Sequence, residues 1–273
     1  MVRADLLADE LLVAQTARRA TVTPPSAREG GFDLAAAYAV EAELVLRRRA
    51  AGRATVGVKV GYANKAVWRA LKLDTLVWAH MYDDTVRPAD LGRAALSSGG
   101  LIAPKIEPEI VFKLSAQVPA GLTDAALVLA HVEWIALGFE IIDCVYPDWK
   151  FQPADFVAAF GLHAALVVGT PMPVTADGIP ALVEALASFT VSLRRGDQVV
   201  AEGAGKNSLR SPALCLAELA TARAAHPDAT PLAAGDFVSS GTLTESQLIH
   251  PGEQWSAEVA GLGLDRLTLD VTP

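Results

Sequence analysis

Residues 105–114 have the sequence KIEPEIVFKL, and the fold prediction starts from this stretch. Apolar and polar side chains alternate along it with the two-residue period of a β-strand. The apolar phase contains Ile106, Ile110, Phe112 and Leu114. Glu107 and Glu109 lie in the other phase, so their carboxylates point to the same face, roughly 7 Å apart. The stretch therefore predicts a β-strand that carries a pair of acids on one face.

A proline inside this stretch limits where the strand can lie in a sheet. Pro108 has no N–H group to donate to a neighbouring strand, so prolines are confined to edges, bulges and strand starts. We therefore predict that residues 105–114 lie at one of these three places.

Two further predicted strands each carry one charged residue among apolar ones. The strand at 134–144, after a helix predicted from 123 to about 133, contains Glu140 within LGFEII. An acid in that position costs free energy to bury unless something binds it. The strand at 54–60 carries Lys59 on the face opposite three valines. A lysine of this kind is also compatible with an ordinary exposed sheet face.

The chain divides into a helical start and a sheet-rich remainder. Residues 1–53 are predicted to form a helical N-terminal segment of two helices, broken by TVTPPS at 21–26. Residues 54–273 are predicted to form the catalytic domain. Antiparallel hairpins such as 189–201 and 255–271 outnumber βαβ units in it. This organisation predicts an α+β fold in which a mixed sheet is rolled or sandwiched, with a helical N-terminal appendage.

Composition and charge limit the classes of partner. The 273-residue chain has a formal net charge of −8, and its short basic clusters include those at 47–49 and 194–195. A phosphate-binding surface needs clustered cations, so we predict no nucleic-acid partner. No uninterrupted apolar run has membrane length, which predicts no membrane partner. Two cysteines without metal-type spacing, and a first segment without a leader pattern, predict a cytoplasmic protein.

Three carboxylates on strands are a typical ligand set for a hard divalent cation. Mg²⁺ and Mn²⁺ prefer oxygen donors and keep positions open for water or substrate. Without a cation, like charges placed together raise one another's pKa. The alternative is that Glu107 and Glu109 simply face solvent on an edge strand. The spacing by itself does not decide between these interpretations.

Six segments occur in an order that adds a family resemblance. They are VGVKVG (56–61), YDD (82–84), IEPEI (106–110), FEIID (139–143), DWK (148–150) and GDFVSSGTL (235–243). Together they resemble the fumarylacetoacetate hydrolase superfamily, and within it the branch of 2-keto-4-pentenoate hydratases and 4-oxalocrotonate decarboxylases. The likeness extends from about residue 54 to the C-terminus, and it implies a mixed β-roll fold.

The resemblance implies a metal centre in which Glu107, Glu109 and Glu140 hold Mg²⁺ or Mn²⁺. Such a cation can chelate a small 2-oxo acid, the predicted substrate class, and stabilise its enolate. The resemblance also implies a homo-oligomer. Some hydratases and decarboxylases of this branch associate with one another, so a pathway enzyme is a further predicted partner.

The resemblance further implies that Lys59, Asp83 and Asp84 line the substrate pocket and act in catalysis. Lys59 is the predicted proton shuttle or oxyanion partner, since desolvation can lower the pKa of a lysine toward neutrality. Asp83 and Asp84 are also compatible with a solvated turn. Lys150 and His163 are further candidates for the pocket. His163 departs from the serine-rich sequence of relatives at this point and is also compatible with a buried core histidine.

Functions of two classes are compatible with these predictions. The predicted function is a metal-dependent lyase that hydrates a 2-hydroxy-2,4-dienoate to a 4-hydroxy-2-oxo acid in aromatic catabolism. One alternative is a decarboxylase of a 4-oxalocrotonate-like 2-oxo diacid. Another is an acylpyruvate C–C hydrolase, which would ordinarily need a histidine-based dyad. The alternative of another class is a non-catalytic partner subunit.

Overall fold

The chain forms both helices and strands in a computed structural model that describes residues 3–28, 30–227 and 229–273. The helices are α1 (Ala4–Ala17), α2 (Leu34–Ala50), α3 (Lys65–Leu71), α4 (Ala125–Leu129), α5 (Pro153–Ala158), α6 (Ile179–Ser188) and α7 (Pro212–Ala224). None of these described helices has the length and apolar character that crossing a bilayer requires.

The strands are short and follow one another through tight turns in several places. They are β1 (Thr55–Gly61), β2 (Val77–Tyr82), β3 (Val86–Pro88), β4 (Arg93–Ser97), β5 (Lys105–Leu114), β6 (Val132–Ile142), β7 (His163–Val168), β8 (Met172–Pro173), β9 (Thr190–Arg195), β10 (Gln198–Ala204), β11 (Phe237–Ser239), β12 (Gln247–Leu248), β13 (Gln254–Ala260) and β14 (Leu267–Thr272). The predicted hairpins are confirmed as β9–β10 and β13–β14.

Two β-sheets form the body of the described chain. Over the described residues the larger sheet has nine strands, with β2, β1, β11, β5, β6, β7 and β3 side by side. Its two other strands are β12, beside β5, and β8, beside β6. The smaller sheet has the order β10, β9, β13, β14 and β4. Antiparallel pairs predominate, with parallel pairs at β1–β11, β3–β7 and β4–β14. This arrangement confirms the predicted α+β fold with a mixed, rolled sheet.

The two acid-bearing strands are neighbours in the larger sheet. β5 has the predicted bounds, whereas β6 begins and ends two residues earlier than predicted. Their antiparallel register sets Glu107 opposite Glu140 and Glu109 opposite Gly138. A Cβ atom at residue 138 would lie 2.5 Å from Val111 Cγ2, so only glycine allows this packing. The register therefore decides which acids meet.

Pro108 lies in an interior strand, and the prediction of an edge, bulge or strand start is wrong. One side of β5 pairs with β6, and the other side pairs with β11 and then β12. Between those two partners, Leu243 N donates to the Pro108 carbonyl at 3.0 Å. The N–H and C=O groups of a strand residue point to the same side. The missing donor of Pro108 thus faces the gap between β11 and β12, where no ladder N–H is needed.

The N-terminal helices pack against the rest of the molecule and share its core. Leu11 of α1 and Leu44 of α2 are fully buried in the same apolar cluster as the strands of the larger sheet. Trp78 N of β2 also donates to Tyr38 Oη of α2 at 3.2 Å. The boundary at residue 53 stays a prediction about folding units, since the apolar core is continuous across it.

The helix predicted from residue 123 is shorter than expected. Asp124 caps α4 by accepting a hydrogen bond from Ala126 N, but the helix ends at Leu129. β6 begins three residues later, and Val132 pairs with Leu114 of β5. The last residues of the predicted helix therefore belong to β6, because that strand pairs with β5.

Candidate metal centre

Three glutamates from neighbouring strands converge at one point of the larger sheet. Glu107 and Glu109 project from one face of β5, and Glu140 projects from the same face of β6. One carboxylate oxygen from each lies within 4.8 Å of the other two. Glu109 and Glu140 are fully buried, whereas Glu107 is partly exposed. The register of β5 and β6 thus brings together the acids that the sequence singled out.

Glu109 has one oxygen held by the protein and one that is free. Ser239 Oγ donates to Glu109 Oε2 at 2.5 Å, and Gly241 N donates to the same oxygen at 2.8 Å. Glu109 Oε1 is buried and has no hydrogen-bond partner among the described residues. The held oxygen orients the carboxylate and leaves Glu109 Oε1 without a protein donor.

Glu140 is arranged in the same way, with a histidine as its support. His163 Nδ1 lies 2.9 Å from Glu140 Oε1, and His163 Nε2 lies 2.9 Å from Thr85 Oγ1. Glu140 Oε2 is buried without a hydrogen bond from any described residue. In each of the two buried glutamates, one oxygen is therefore held by Ser239 and Gly241 or by His163. The other oxygen has no hydrogen bond within the described chain.

Lys59 lies beside Glu140 and is buried with it. Lys59 Nζ is 2.9 Å from Glu140 Oε2, a charge contact without the angles of a hydrogen bond, and it donates to Gly161 O at 3.0 Å. Gly161 has a φ of +59°, and a Cβ there would lie 2.7 Å from Ala79 Cβ and 2.9 Å from Lys59 Cδ. A glycine at residue 161 thus leaves room for the lysine and supplies its carbonyl acceptor.

The acids of the cluster differ in their electrostatic environment. Burial raises the pKa of Glu107 to about 7, against the attraction of Lys59. Burial and the charges of Glu140 and Glu107 raise the pKa of Glu109 well above its usual value. Burial alone would raise the pKa of Glu140 as well, but the charge of Lys59 and the hydrogen bond from His163 hold it below its usual value. The negative charges of the three glutamates are thus only partly compensated by other groups of the protein.

The environment of Lys59 corrects one expectation. Desolvation lowers the pKa of a buried lysine, as predicted, but Glu140, Glu107 and Glu109 act in the opposite direction and prevail. The pKa of Lys59 is raised, because three carboxylates surround one ammonium group. In the protein without a cation, the surrounding carboxylates therefore favour the protonated form of Lys59.

The donors fit a divalent cation. Buried carboxylate oxygens nearly always have a partner, yet Glu109 Oε1 has none within the described chain, and Glu140 Oε2 has only the ammonium group of Lys59, 2.9 Å away. Oxygens that share a cation lie within roughly 5 Å of one another, because metal–oxygen bonds are about 2.0–2.6 Å long. The 4.8 Å cluster satisfies that limit and consists of hard oxygen donors only. A divalent cation would satisfy the free oxygens and offset the crowded negative charge.

A cavity of about 620 Å³ opens next to this cluster. Lys59 and Glu107 line its inner part, and Lys105 adds a second cation. Lys105 Nζ lies 4.1 Å from the ring centroid of Trp149, which also lines the cavity. The cavity is large enough for a small organic acid and gives it access to Glu107 and Lys59.

Asp83 and Asp84 lie elsewhere, contrary to expectation. Neither residue lines the 620 Å³ cavity. Asp83 is exposed and accepts a hydrogen bond from Ala54 N at 3.2 Å. Asp84 forms ion pairs with Arg48 at 2.7 Å and Arg53 at 3.2 Å. The two acids belong to a turn after β2, and their contacts connect that turn to α2 and to the segment before β1.

The two further pocket candidates are also separated from the large cavity. His163 and Asp84 line a second cavity, of about 260 Å³. Lys150 is exposed and lies 3.4 Å from Asp148. Its neighbour Trp149 lines the large cavity, whereas Lys150 does not. The cation of the large cavity that the sequence did not single out is Lys105.

Sequence reasoning missed the residues that support the acids. Ser239 and Gly241 lie within GDFVSSGTL, a segment that carried the family resemblance but no assigned role. Thr85 directly follows Asp83–Asp84, and Gly161 lies two residues before His163. The sequence could have indicated these residues only because they are small and lie in or next to the recognised motifs. Their partners are distant in the chain, so the contacts could not be predicted.

Comparisons with known proteins agree on one family. The family model described as "Fumarylacetoacetate (FAA) hydrolase C-terminal" matches residues 78–269. A 2-hydroxypent-2,4-dienoate hydratase from Pseudomonas putida is 34% identical over 217 residues, which cover 78% of this chain and 92% of that protein. A 4-oxalocrotonate decarboxylase from Pseudomonas sp. (strain CF600) is 29% identical over 226 residues, covering 83% of this chain and 81% of that protein.

A solved structure extends the similarity to the whole fold. It is a 4-oxalocrotonate decarboxylase from Pseudomonas putida G7, complexed with magnesium and adipate. The TM-score is 0.86 and the sequence identity is 24%, and the match covers 98% of this chain and 97% of the other. At this identity the comparison concerns the fold, which includes the N-terminal helices as well as the two sheets.

Proposed function

The chain belongs to the fumarylacetoacetate hydrolase family, and on that premise we propose that it is a divalent-metal-dependent hydro-lyase. The proposed reaction is the addition of water to a 2-hydroxy-2,4-dienoate, which gives a 4-hydroxy-2-oxo acid. The observation that carries the proposal is the cluster of Glu107, Glu109 and Glu140 beside a cavity of about 620 Å³. The hydratase name of the relative at 34% identity supports this class of reaction.

Glu107, Glu109 and Glu140 are the proposed ligands of Mg²⁺ or Mn²⁺. A cation bound there would act as a Lewis acid toward the carboxylate and 2-oxo oxygens of the substrate. The supports on Glu109 and Glu140 keep one oxygen of each free, so both carboxylates are preorganised as ligands. Glu107 lines the cavity, which places the ligand set within contact of a substrate.

Lys59 is the proposed proton donor of the reaction. It lines the cavity, and its ammonium group has three N–H bonds. One donates to Gly161 O and another lies toward Glu140, which leaves one for a substrate atom. Its raised pKa keeps it protonated in the resting protein, as a group that protonates the dienoate chain must be.

Decarboxylation of a 2-oxo diacid is the second candidate, and one feature of the cavity favours it. Lys105 is a cation on the cavity wall, and a second carboxylate on the substrate would find its charge partner there. A relative at 29% identity is named a 4-oxalocrotonate decarboxylase. Both reactions use the same site, so only the products separate them.

An assay of both products tests the proposed function. The wild-type protein with Mg²⁺ is expected to consume the dienoate absorbance and form a hydroxy acid, with no CO₂ released. Glu109→Gln is expected to lose this activity, and Glu184→Gln, at an exposed glutamate of α6, is the matched control. CO₂ release from a 2-oxo diacid, with no hydration of the dienoate, would replace the hydratase by the decarboxylase. Metal-independent activity would contradict both.

Several finer expectations stay predictions. They concern the choice between Mg²⁺ and Mn²⁺, a homo-oligomeric state, a pathway enzyme as partner, a role in aromatic catabolism and a cytoplasmic location. Metal titration with both ions decides the first, and the mass of the assembly in solution decides the second.

A further inference from the structure

The two buried glutamates of the metal centre are supported by different kinds of group. Glu109 Oε2 receives hydrogen bonds from a backbone amide and a serine hydroxyl, both on the segment that begins with β11. Glu140 Oε1 instead contacts the imidazole of His163, whose side chain is 2% exposed. The two supports leave one oxygen of each glutamate without a hydrogen bond: Glu109 Oε1, and Glu140 Oε2, which lies 2.9 Å from the ammonium group of Lys59. The support of Glu109 combines a backbone amide with a side chain, and the support of Glu140 depends on a single side chain.

His163 is itself held from behind. Its second ring nitrogen lies 2.9 Å from Thr85 Oγ1. That hydroxyl donates to Tyr82 O at 3.0 Å and accepts from Tyr82 N at 3.2 Å, so its position is set by the turn after β2. Asp84 of the same turn forms ion pairs with Arg48 and Arg53. The imidazole is thus fixed at both nitrogens and cannot rotate without losing a contact.

We propose that His163 is a positioning residue for the metal centre: it holds Oε1 of Glu140 so that Oε2 stays available to the cation. The inference rests on the proposed metal site and adds a residue to it. Without the support, the Glu140 carboxylate could turn about its last torsion and offer either oxygen to Lys59. Groups that hold a metal-ligating side chain typically contribute 10- to 100-fold to metal affinity.

The chain contains a second histidine–glutamate contact that lacks this function. His80 Nδ1 lies 2.7 Å from Glu41 Oε1, and both His80 and His163 line the cavity of about 260 Å³. Glu41 is not one of the clustered acids. His80 therefore offers a matched control, since its replacement removes a similar contact from the same cavity and leaves the metal ligands untouched.

Two amide variants separate the contacts of the two ring nitrogens. In His163→Asn the amide nitrogen takes the place of Nδ1 and can still donate to Glu140. In His163→Gln it takes the place of Nε2, so the contact with Thr85 is kept and that with Glu140 is lost. Affinity for Mn²⁺ is measured from the EPR signal of free Mn²⁺, on wild type, both variants, His80→Asn and Glu109→Gln. Thermal unfolding in EDTA reports structural damage separately.

His163→Gln is expected to weaken Mn²⁺ binding by about 10- to 100-fold. His163→Asn is expected to retain most of the affinity, and His80→Asn is expected to bind as wild type. Wild-type affinity in His163→Gln would overturn the proposal, as would equal losses in His163→Asn and His163→Gln. If His163→Gln does not fold, Thr85→Val replaces it, with a smaller loss expected and an unchanged affinity overturning the proposal.

The same measurements distinguish failure of the positioning role from failure of the metal site. If wild type and Glu109→Gln bind Mn²⁺ equally, the metal site itself is wrong, and the role of His163 falls with it. If Glu109→Gln abolishes binding while His163→Gln binds as wild type, the metal site stands and the positioning role alone is wrong.

Discussion

The two sheets bury different kinds of side chain. In the smaller sheet the buried side chains are apolar or uncharged over the described residues, with Trp255, Leu267 and Leu269 at its centre. The larger sheet buries Lys59, Glu109 and Glu140 in its middle. Burial of apolar surface stabilises the fold by about 25 cal/mol per Å². Burial of charge is unfavourable unless the charge is compensated. The smaller sheet therefore contributes stability. The larger sheet contains an unfavourable cluster of negative charges that a bound cation would compensate.

The largest effect is expected when a metal-ligating glutamate of the larger sheet is replaced. Glu109→Gln replaces a buried ligand by a neutral amide of the same shape. We expect activity to fall to background and Mn²⁺ affinity to fall by more than the about 100-fold typical of a supporting residue. Isothermal titration with Mn²⁺ and the dienoate assay measure the two effects. Retained binding would mean that the charge cluster of the larger sheet has another purpose.

The next largest effect is expected at Lys59, whose role in catalysis can be tested separately from the role of the glutamates in metal binding. Lys59→Met keeps the length of the side chain and removes its charge, so kcat is expected to fall by about 10²–10⁴-fold, the usual contribution of a general acid or base. Mn²⁺ affinity is not expected to fall, because a cation next to the metal site is removed. Steady-state kinetics and titration on the same preparation test both parts. A parallel loss of metal affinity would make Lys59 a structural partner of Glu140 only.

A substitution in the smaller sheet is expected to change stability alone. Leu269→Ala removes a fully buried side chain from β14 and should lower the free energy of unfolding by about 2–5 kcal/mol. Mn²⁺ affinity of the folded variant should equal that of wild type, since β14 belongs to the other sheet. Urea unfolding and metal titration measure the two quantities. Weakened metal binding would show that the two sheets are energetically coupled.

The pH dependence of stability should reveal the acids of the larger sheet. Burial raises the pKa of Glu107 from 4.5 to about 7 and also raises that of Glu109. A carboxyl group with a raised pKa binds more protons when folded, so this part of the stability is present at low pH and is lost as pH rises from about 4.5 to 7. Glu140, with a lowered pKa, loses its contribution only below its usual range.

A divalent cation bound by these carboxylates would take the place of the lost protons, so the stabilising effect of added Mg²⁺ should grow with pH. We expect the rise in Tm on adding Mg²⁺ to be larger near pH 8 than near pH 5.5, with each unit of raised pKa corresponding to about 1.4 kcal/mol. Scanning calorimetry with and without EDTA measures it, and Glu109→Gln is the control that should reduce the dependence. A metal effect independent of pH would contradict the raised pKa of these carboxyl groups.

The smallest effect is expected for the turn after β2, whose residues Asp83 and Asp84 were predicted to line the substrate pocket. Asp84→Asn weakens partly exposed ion pairs with Arg48 and Arg53, which are typically worth about 1 kcal/mol or less. We expect a small drop in Tm and nearly unchanged kcat. A large loss of kcat at wild-type stability would restore the catalytic role that the family resemblance implied.

Strand phase explains much of what the sequence predicted correctly. The two-residue period placed Glu107 and Glu109 on one face, and the apolar neighbours of Glu140 marked it as an unusual buried acid. Both statements are local, and both agree with the structure. The missing N–H group of Pro108 led to a wrong position, at an edge, a bulge or a strand start. The local pattern contains no information about which strands pair on either side.

Asp83, Lys150 and His163 show the limit of reasoning from motifs. Each lies in or beside a segment of the family pattern, yet Asp83 and Lys150 are exposed and His163 faces the second cavity. A motif gives the order of residues along the chain. The direction of a side chain depends on the turn or strand that carries it and on what packs behind it.

The sequence by itself determined the class of the fold, the family, and the residue types of a hard-metal site, because these follow from local periodicity and ordered motifs. Only the tertiary structure decided that Glu107 faces Glu140, that Lys59 stays protonated among three acids, and that one oxygen of each buried glutamate is free. The physical reason is the same in each case. Register, burial and charge compensation are set by residues that are distant in the chain and meet only in the folded sheet.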